Sequence, residues 1–282
     1  MDGEYRNIPR LLSIAGSDSG GGAGIQADLK AFARCAVHGM TAITAVTCQN
    51  TVAVEGITPV PPEAIVGQVR AVVEDIGVDA VKIGMLGTVE AIEAVNEALD
   101  LLPGVPVVLD PVMVAESGAP LLEPAARKAL TRVLLPRATV TTPNLLEARA
   151  IVEAAAGSLR PDADSPASVD AEPLARAILA LGPQSVVVTG GHAPGGGEQA
   201  VDLFVDADRA VTIPGPRYEG GATHGSGCTH SSVLAARLAL GDEPLAAARV
   251  AREIAAEAVR DGLAELGAGA GPVDVLGLRK LL

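Results

Sequence analysis

The sequence predicts an α/β protein built on a mostly parallel sheet covered by helices. Short apolar runs recur between helical stretches, and glycines collect where those runs end. The apolar residues are also aliphatic: the composition is 49% hydrophobic but 1% aromatic, with no Trp. Val, Leu, Ile and Ala must therefore pack the core, as they do in parallel sheets buried on both faces. At 282 residues the chain is long enough to bury such a core. No break in composition and no internal repeat marks a second domain, so residues 1–10 read as a tail and 11–282 as one domain.

Residues 11–15 form the first apolar run, ending in Gly16-Ser17-Asp18-Ser19-Gly20-Gly21-Gly22-Ala23-Gly24. A helical pattern follows, with Ile25, Leu29 and Phe32 at i, i+4 and i+7. Strand, glycine loop and helix open a βαβ unit. The loop lacks the GxxxxGK[ST] spacing of a P-loop, and its GxG-like spacing is too weak to be a dinucleotide fingerprint. So many glycines either flex or let a ligand approach the backbone.

Residues 40–48 read as a strand ending in Gln49-Asn50-Thr51. Polar amides there either cap a turn or stand where open α/β sheets bind ligands. Residues 52–60 suggest a small β excursion, and Pro61-Pro62 opens a helix to about residue 75, with Ile65, Val69, Val72 and Val73 on one face. Residues 79–85 form a buried strand pattern closed by Gly84 and Gly87, and a helix follows to about 101. The next strand, 105–109, ends in Asp110-Pro111-Val112-Met113. An Asp in that place serves a metal, a phosphate-bound water or a loop N–H.

Residues 121–135 read as helix and 138–142 as strand. Asn144 and Glu147 then stand three apart at a helix start, which suits a capping pair and a ligand pair alike. Residues 157–173 read as a surface loop. Helix resumes over 174–181, and the strand 185–189 ends in Gly190-Gly191-His192. Gly195-Gly196-Gly197 is a flexible turn, residues 200–205 and 210–213 an antiparallel pair at the sheet edge, and two Ala-rich helices, 228–240 and 244–266, finish the fold.

A formal net charge of −13 argues against nucleic acid or an anionic membrane as a partner. A bound polyanion would have to be held by local N–H groups, a few cations and metal. Cys35, Cys48 and Cys228 are far apart with no CxxC spacing, which opposes a disulfide framework or zinc site and fits a reducing cytoplasm. Cys35 and Cys48 read as small core residues. The first ten residues carry no apolar signal core, and no apolar run approaches the roughly 20 residues that span a bilayer. The chain reads as soluble and cytoplasmic.

The stretch Thr223-His224-Gly225-Ser226-Gly227-Cys228-Thr229-His230 carries the most chemistry. Two glycines before a helical run present free N–H groups to an anion at the helix's positive end. Cys228 sits at that mouth, where a thiol loses its proton more easily than in water. The pairing suggests phosphate chemistry; a glycine turn before a helix with a small core cysteine is the other reading.

Together the motifs are more specific. The run Ile14-Ala15-Gly16-Ser17-Asp18-Ser19-Gly20-Gly21-Gly22-Ala23-Gly24-Ile25-Gln26-Ala27-Asp28-Leu29-Lys30 closely resembles the N-terminal signature of bacterial hydroxymethylpyrimidine/phosphomethylpyrimidine kinases, members of the ribokinase-like superfamily. Thr44–Thr51, Lys82-Ile83-Gly84-Met85-Leu86, Leu109–Met113, Thr142–Glu147, Gly190-Gly191-His192 and Thr223–Thr229 follow in the family's order. The resemblance implies a three-layer sandwich, its mostly parallel central sheet flanked by helices and edged by antiparallel strands. It also implies two ATP- and Mg²⁺-dependent steps of thiamine biosynthesis at one site: phosphorylation of 4-amino-5-hydroxymethyl-2-methylpyrimidine, then of its monophosphate.

By resemblance Gly16, Asp28, Gln49 and Val112 line the pyrimidine pocket. An aminopyrimidine's amino donor and ring-nitrogen acceptors would suit one carboxylate and one carboxamide. Cys228 stands where many sugar kinases of the superfamily carry an Asp base, and it would take the alcohol's proton. The N–H groups of Gly225, Ser226 and Gly227 would hold the charge on the transferring phosphoryl group. Asn144 and Glu147 match the NxxE pattern that organises Mg²⁺ and phosphate through water, with Asp110 a further candidate metal ligand. Thr189 and Gly191 would lie beside the nucleotide.

Thr189 is a departure, since the family usually has Lys there; charge neutralisation would then fall to Mg²⁺ or Lys82. His192, His224 and His230 read as loop or cap polarity, without a catalytic role. A homodimer is expected by resemblance. Two other functions compete: a pyridoxal kinase, and a non-catalytic pyrimidine-binding sensor.

Overall fold

Nine strands make one sheet in the order β3-β2-β1-β4-β5-β6-β7-β8-β9. They are β1 (Arg10–Asp18), β2 (His38–Gln49), β3 (Val54–Pro59), β4 (Ala80–Ile83), β5 (Val107–Leu109), β6 (Val140–Thr141), β7 (Ser185–Val188), β8 (Gln199–Val205) and β9 (Ala210–Pro216). The computed structural model describes residues 8–157, 171–190, 199–218 and 222–281. Strands β2, β1, β4, β5, β6 and β7 run parallel through the middle, while β3 on one edge and β8–β9 on the other are antiparallel. The chain steps from β1 to β2 and then returns to the far side of β1 with β4. That reversal opens a crevice at the carboxyl ends of β1 and β4, where open α/β sheets place ligands.

The helices are α1 (Gly24–Arg34), α2 (Pro62–Asp75), α3 (Val89–Leu99), α4 (Pro124–Ala129), α5 (Leu145–Ala156), α6 (Ala171–Leu179), α7 (Ser226–Ala239) and α8 (Pro244–Arg260). Helices α2 to α6 cover one face of the sheet, burying Ile65, Ile92, Ala126, Ile151 and Ile178 against Leu12, Ile14, Val81, Ile83 and Leu109. The other face packs Phe32 of α1, Val233 and Leu234 of α7 and Ala248 of α8 against Leu11, Ala80, Val108 and Val187. Strand alternation assigns the faces: Leu11, Ala80 and Val108 point one way, and their neighbours Leu12, Val81 and Leu109 the other. By the same alternation Ser13, Lys82 and Asp110 fall on the α1/α7 side. Among the described residues no helix is long and apolar enough to cross a membrane.

Several expectations need correction. Helix α1 buries Ile25, Asp28 and Phe32, whereas Leu29 is 37% exposed, so the apolar stripe is phased through an aspartate. The helix expected over 121–135 begins at Pro124 and gives way to a π-turn at Leu130–Leu134 and a 3₁₀ turn at Leu135–Arg137. Pro136, which lacks an N–H, stands in that last turn. Helix α8 stops at Arg260 rather than 266; a Cβ on Gly262 would come within 2.6 Å of the Ala222 Cβ, so the chain leaves the helix where it meets that neighbour. Within the loop expected over 157–173, Gly157 ends α5 at φ 69° and residues 171–173 already belong to α6. Residues 158–170 and Gly195–Gly197 lie outside the described residues. Cys48 is exposed rather than core, because β2 there runs beyond its pairing with β1 and forms a two-stranded flap with β3.

The chain has only two Phe, and both Phe32 and Phe204 are buried on the α1/α7/α8 face. Phe32→Ala should therefore cost about 3–5 kcal/mol in urea unfolding; a loss near 1 kcal/mol would show that the face collapses around the gap.

Candidate active site

Strand β1 ends in Asp18, whose carboxylate ties down the first glycine loop. It accepts N–H bonds from Gly20 (2.8 Å), Gly22 (3.0 Å) and Ala23 (2.8 Å), and lies 2.9 Å from Nε2 of His224. Burial opposes its ionisation, but His224 and the Ala23 and Gly20 N–H groups outweigh burial and hold it below the usual carboxylate range. His224 belongs to the second glycine turn, so Asp18 joins the two loops. Gly225 has φ 84°, and a Cβ there would come within 1.8 Å of the Gly22 carbonyl oxygen. Glycine is required at Gly225 on both counts. The loop polarity expected of His224 is thus a specific bond, and neither Asp18 nor its role was read from the sequence.

Helix α7 starts at this junction. The Ser226 N–H donates to the Thr223 carbonyl (3.0 Å), which withdraws it from the expected anion cradle. The N–H groups of Gly227 and Cys228, in the helix's first turn, have no intrahelical acceptor by geometry. Of the expected cradle, only the Ser226 N–H is engaged elsewhere among the described residues, and the Cys228 N–H joins that of Gly227 in the first turn.

Cys228 is partly exposed as a residue, with its thiol turned toward charged neighbours. Burial, with Asp110 and Asp28 adding to it, pushes the thiol up to about 12, against the Lys82 ammonium and the Gly24 N–H, which pull it down. A thiol made more acidic by the helix end was expected. Here desolvation and two carboxylates outweigh that end, so the sulfur keeps its proton in the unliganded protein.

Below the thiol lies a buried ion pair. Lys82 Nζ is 2.8 Å from Asp28 Oδ1, and both side chains are fully buried. Asp28 also accepts from Ser13 Oγ (2.6 Å) and Ser232 Oγ (2.6 Å). Its expected place in the pyrimidine pocket is therefore corrected: the carboxylate has no exposure and its oxygens are already taken by internal donors. Lys82 is likewise withdrawn from direct phosphate neutralisation. Burial disfavours its charge, but Asp28, Cys228 and Asp110 outweigh burial and raise its pKa above the usual lysine value.

Asp110, at the end of β5, accepts from Ser231 Oγ of α7 (2.8 Å). Burial raises its pKa, with Lys82 and Ser231 opposing and Asp28 adding to the rise. Glu147 is pushed up to about 8, first by burial and then by Asp110, against N–H bonds from Asn144 and Met113. Asn144 and Glu147 form a full capping box: Asn144 Oδ1 accepts from Leu146 and Glu147 N–H, and Glu147 accepts from Asn144 N–H (2.9 Å). The capping role is realised, and it aims the Glu147 carboxylate toward Asp110's field. Thr189 is held beside this cap, its N–H on the Pro143 carbonyl (2.9 Å) and its backbone bridged to Asn144. Gly191 and His192 lie outside the described residues.

A small apolar wall stands on the other side. Ala45, Met85 and Leu121 cluster there with Val112 and Ala115, and a Cβ on Gly16 would lie 3.1 Å from Met85 Sδ. The structure thus brings Gly16 and Val112 together around Met85, a residue the sequence quoted only within a motif. Gln49 takes a bond from Thr47 Oγ1 on its Oε1 (3.2 Å), leaving its NH₂ without a partner among the described residues. A cleft of about 360 Å³ lies at the amino ends of β5 to β7, lined by Pro106, Arg137 and Gln184, at the other end of the sheet from Cys228. Arg137 is already bonded to Asn96 and Asp100 there.

The sequence profile of the family described as phosphomethylpyrimidine kinase matches residues 18–274. The chain belongs to that family. It is 44% identical to a Streptomyces coelicolor protein named hydroxymethylpyrimidine/phosphomethylpyrimidine kinase, over 94% of both chains. It is 40% identical to a Bacillus subtilis protein of the same name, over 95% of both. Among solved structures, a Staphylococcus aureus pyridoxal kinase bound to ADP superposes with a TM-score of 0.85 at 32% identity, covering 98% of this chain and 96% of that one. A Clostridium difficile phosphomethylpyrimidine kinase superposes at 0.73 with 39% identity, covering 89% and 99%. The ribokinase-like fold expected from the sequence is the fold of this family member.

Removing one partner of a buried pair strands the other charge. Lys82→Met should cost about 3–5 kcal/mol in urea unfolding; a change under 1 kcal/mol would mean Asp28 finds another cation. Glu147 gives a pH test in metal-free buffer. Its carboxyl holds a proton up to about 8, against an ordinary 4.5. The folded state therefore binds more protons than the unfolded one between those values, and stability should fall as pH rises through them. Glu147→Gln keeps the capping geometry and should flatten that slope; an unchanged slope would assign it to another group.

Proposed function

We propose that this chain transfers the γ-phosphoryl group of ATP to the hydroxymethyl group of 4-amino-5-hydroxymethyl-2-methylpyrimidine, and then a second phosphoryl group to the monophosphate, for thiamine biosynthesis. One observation carries the reading: in a member of this family, the Cys228 thiol, the first-turn amides of α7 and the Gly16–Met85–Val112 wall all meet at the carboxyl ends of β1, β4 and β5. The apolar wall suits a heteroaromatic ring, and the Gln49 NH₂, without a partner among the described residues, suits a ring nitrogen.

In the first step the alcohol oxygen bonds to the γ-phosphorus as the bond to the β-phosphate oxygen breaks, and the alcohol proton leaves. Cys228 Sγ takes that proton as the thiolate, having first lost its own proton to solvent in the liganded site. The Gly227 and Cys228 amides would hold the charge spreading over the phosphoryl oxygens. Since Asp110 raises the thiol's pKa, neutralising its negative charge would bring the thiolate within reach, with Lys82 favouring it further. Asp28 acts through Lys82 rather than on substrate.

Two carboxylates facing each other in a desolvated site, Asp110 and Glu147, form a donor set that fits Mg²⁺, which takes one or two carboxylates along with phosphate oxygens. Among the described residues no cluster of three or more His, Cys, Asp or Glu could hold a metal alone, which agrees with a cation shared with the nucleotide. When bound, the ion would supply positive charge to the phosphates. That also accounts for the absence of a lysine at Thr189.

The two steps differ in their demand for a base. An alcohol must lose its proton, whereas a phosphate monoester, with a second pKa of about 6, is already mostly dianionic at neutral pH. Cys228→Ser should therefore lower kcat on the alcohol about 10²–10⁴-fold, with little change in KM. It should lower kcat on the monophosphate by less than about tenfold. Equal losses on both would remove Cys228 as base, and a wild-type protein that phosphorylates neither, followed by ³¹P NMR, would sink the functional reading in favour of a sensor. The pyridoxal kinase neighbours favour a second reading on the same thiol and amides. Turnover of pyridoxal without turnover of the pyrimidine monophosphate would select it.

A further inference from the structure

Beneath the corner that carries Thr189 lies a charged cluster with no part in the mechanism above. Asp202 of β8 is 1% exposed. Its Oδ2 lies 3.4 Å from His230 Nε2 on α7 and 3.9 Å from Arg252 Nε on α8. Among the described residues none of these three atoms makes a hydrogen bond, although all are buried. Burial alone would raise the Asp202 pKa, but His230, Arg252 and the Gly190 N–H hold it low, so the group is a carboxylate. Arg252 is anchored in turn, its Nη2 donating to the Ala200 (2.9 Å) and Pro216 (3.2 Å) carbonyls.

The single hydrogen bond of the Asp202 carboxylate among the described residues accepts the Gly190 N–H, at 2.9 Å. That backbone has no slack: a Cβ on Gly190 would sit 2.0 Å from the Val201 carbonyl oxygen. Just before it, Thr189 is bonded to Pro143 and bridged to Asn144. The Thr189–Gly190 corner is thus fixed from two sides, by the Asn144 cap and by Asp202. Through His230, Asp202 also faces the helix whose first turn forms the anion cradle.

We propose that Asp202 is a positioning residue for the nucleotide, holding the Thr189–Gly190 corner at a set distance from the first turn of α7. The inference rests on the reading of Thr189 as a nucleotide-side residue. An acceptor is needed there because the Gly190 N–H has no other partner among the described residues, and the Asp202 side chain is set in place by His230 of α7 and Arg252 of α8. The ring of the alcohol substrate lies on the Gly16–Met85–Val112 side, so loss of Asp202 should act on nucleotide affinity and leave the alcohol's KM alone.

The test compares two double variants that both lack the buried ion pair, so neither strands a charge, and that differ only in the acceptor offered to Gly190. Asp202→Asn with Arg252→Met keeps that acceptor; Asp202→Ala with Arg252→Met removes it. ADP binding by titration calorimetry should be within about threefold of wild type in the first and about tenfold weaker in the second, as loss of one buried hydrogen bond predicts. The KM for the pyrimidine alcohol should change less than twofold in both. Equal ADP affinity in the two variants, or a parallel rise in the alcohol's KM, overturns the proposal.

Thermal melts report folding. If the alanine form does not fold, amide exchange of Gly190 in the unliganded wild type decides: slow exchange is expected, and exchange at the unprotected rate overturns the proposal. ADP binding without alcohol turnover in wild type would sink the functional reading while leaving this one standing. Normal turnover with equal ADP affinity in the two variants would do the reverse.

Discussion

The site depends on one buried charge. The Lys82 ammonium is out of water, paired with Asp28, and within the field of Cys228 and Asp110. A lone ammonium in that layer would be prohibitively costly, and the Ser13, Ser232 and Lys82 donors make the aspartate tolerable in turn. Four elements meet at this node: β1, α1, β4 and α7. The pair fixes how deeply α7 sits against the sheet, and so where its first turn opens. Its lysine also pulls the Cys228 thiol toward ionisation, while its aspartate pushes the other way.

Above the node, two glycine loops close on each other. The Asp18 carboxylate gathers three amides of the first loop and meets His224 of the second, while Gly22 and Gly225 touch backbone to backbone. A side chain at either contact would separate the loops and move the cradle away from the thiol. Glycine alone suggests flexibility in these loops, but at their contact Gly20 and Gly22 are bonded to Asp18, and Gly225 abuts the Gly22 carbonyl. The desolvated carboxyl groups Asp110 and Glu147 keep strain of another kind: burial opposes the ionisation of both, Asp110 adds to that at Glu147, and a cation would relieve both.

Much of this was legible in the sequence. The aliphatic runs gave the parallel strands, Pro61-Pro62 marked the start of α2, and the edge hairpin at β8–β9 fell where alternation put it. What failed did so for physical reasons. Leu29 fitted the helical period better than Asp28, yet Asp28 is the buried one, because its partners come from strands and from a helix about two hundred residues away. The same long range hid Asp18–His224 and Asp202–Arg252, pairs whose members carry no shared local pattern. The acidity of Cys228 was misjudged because helix position is local, whereas desolvation and the charges of Asp110 and Asp28 are set by tertiary packing. Met85 left no signal beyond its motif, since a thioether beside a glycine reads as ordinary core.

The central claim is that the Cys228 proton is governed by the charges around it rather than by the helix end. Following the ¹³Cβ shift of Cys228 by NMR from pH 6 to 10 tests that most directly. The unliganded protein should show no transition in that range, and a complex with the alcohol, Mg²⁺ and a non-hydrolysable ATP analogue should show one moved down into it. A thiolate that forms near neutral pH in the unliganded protein would contradict the account.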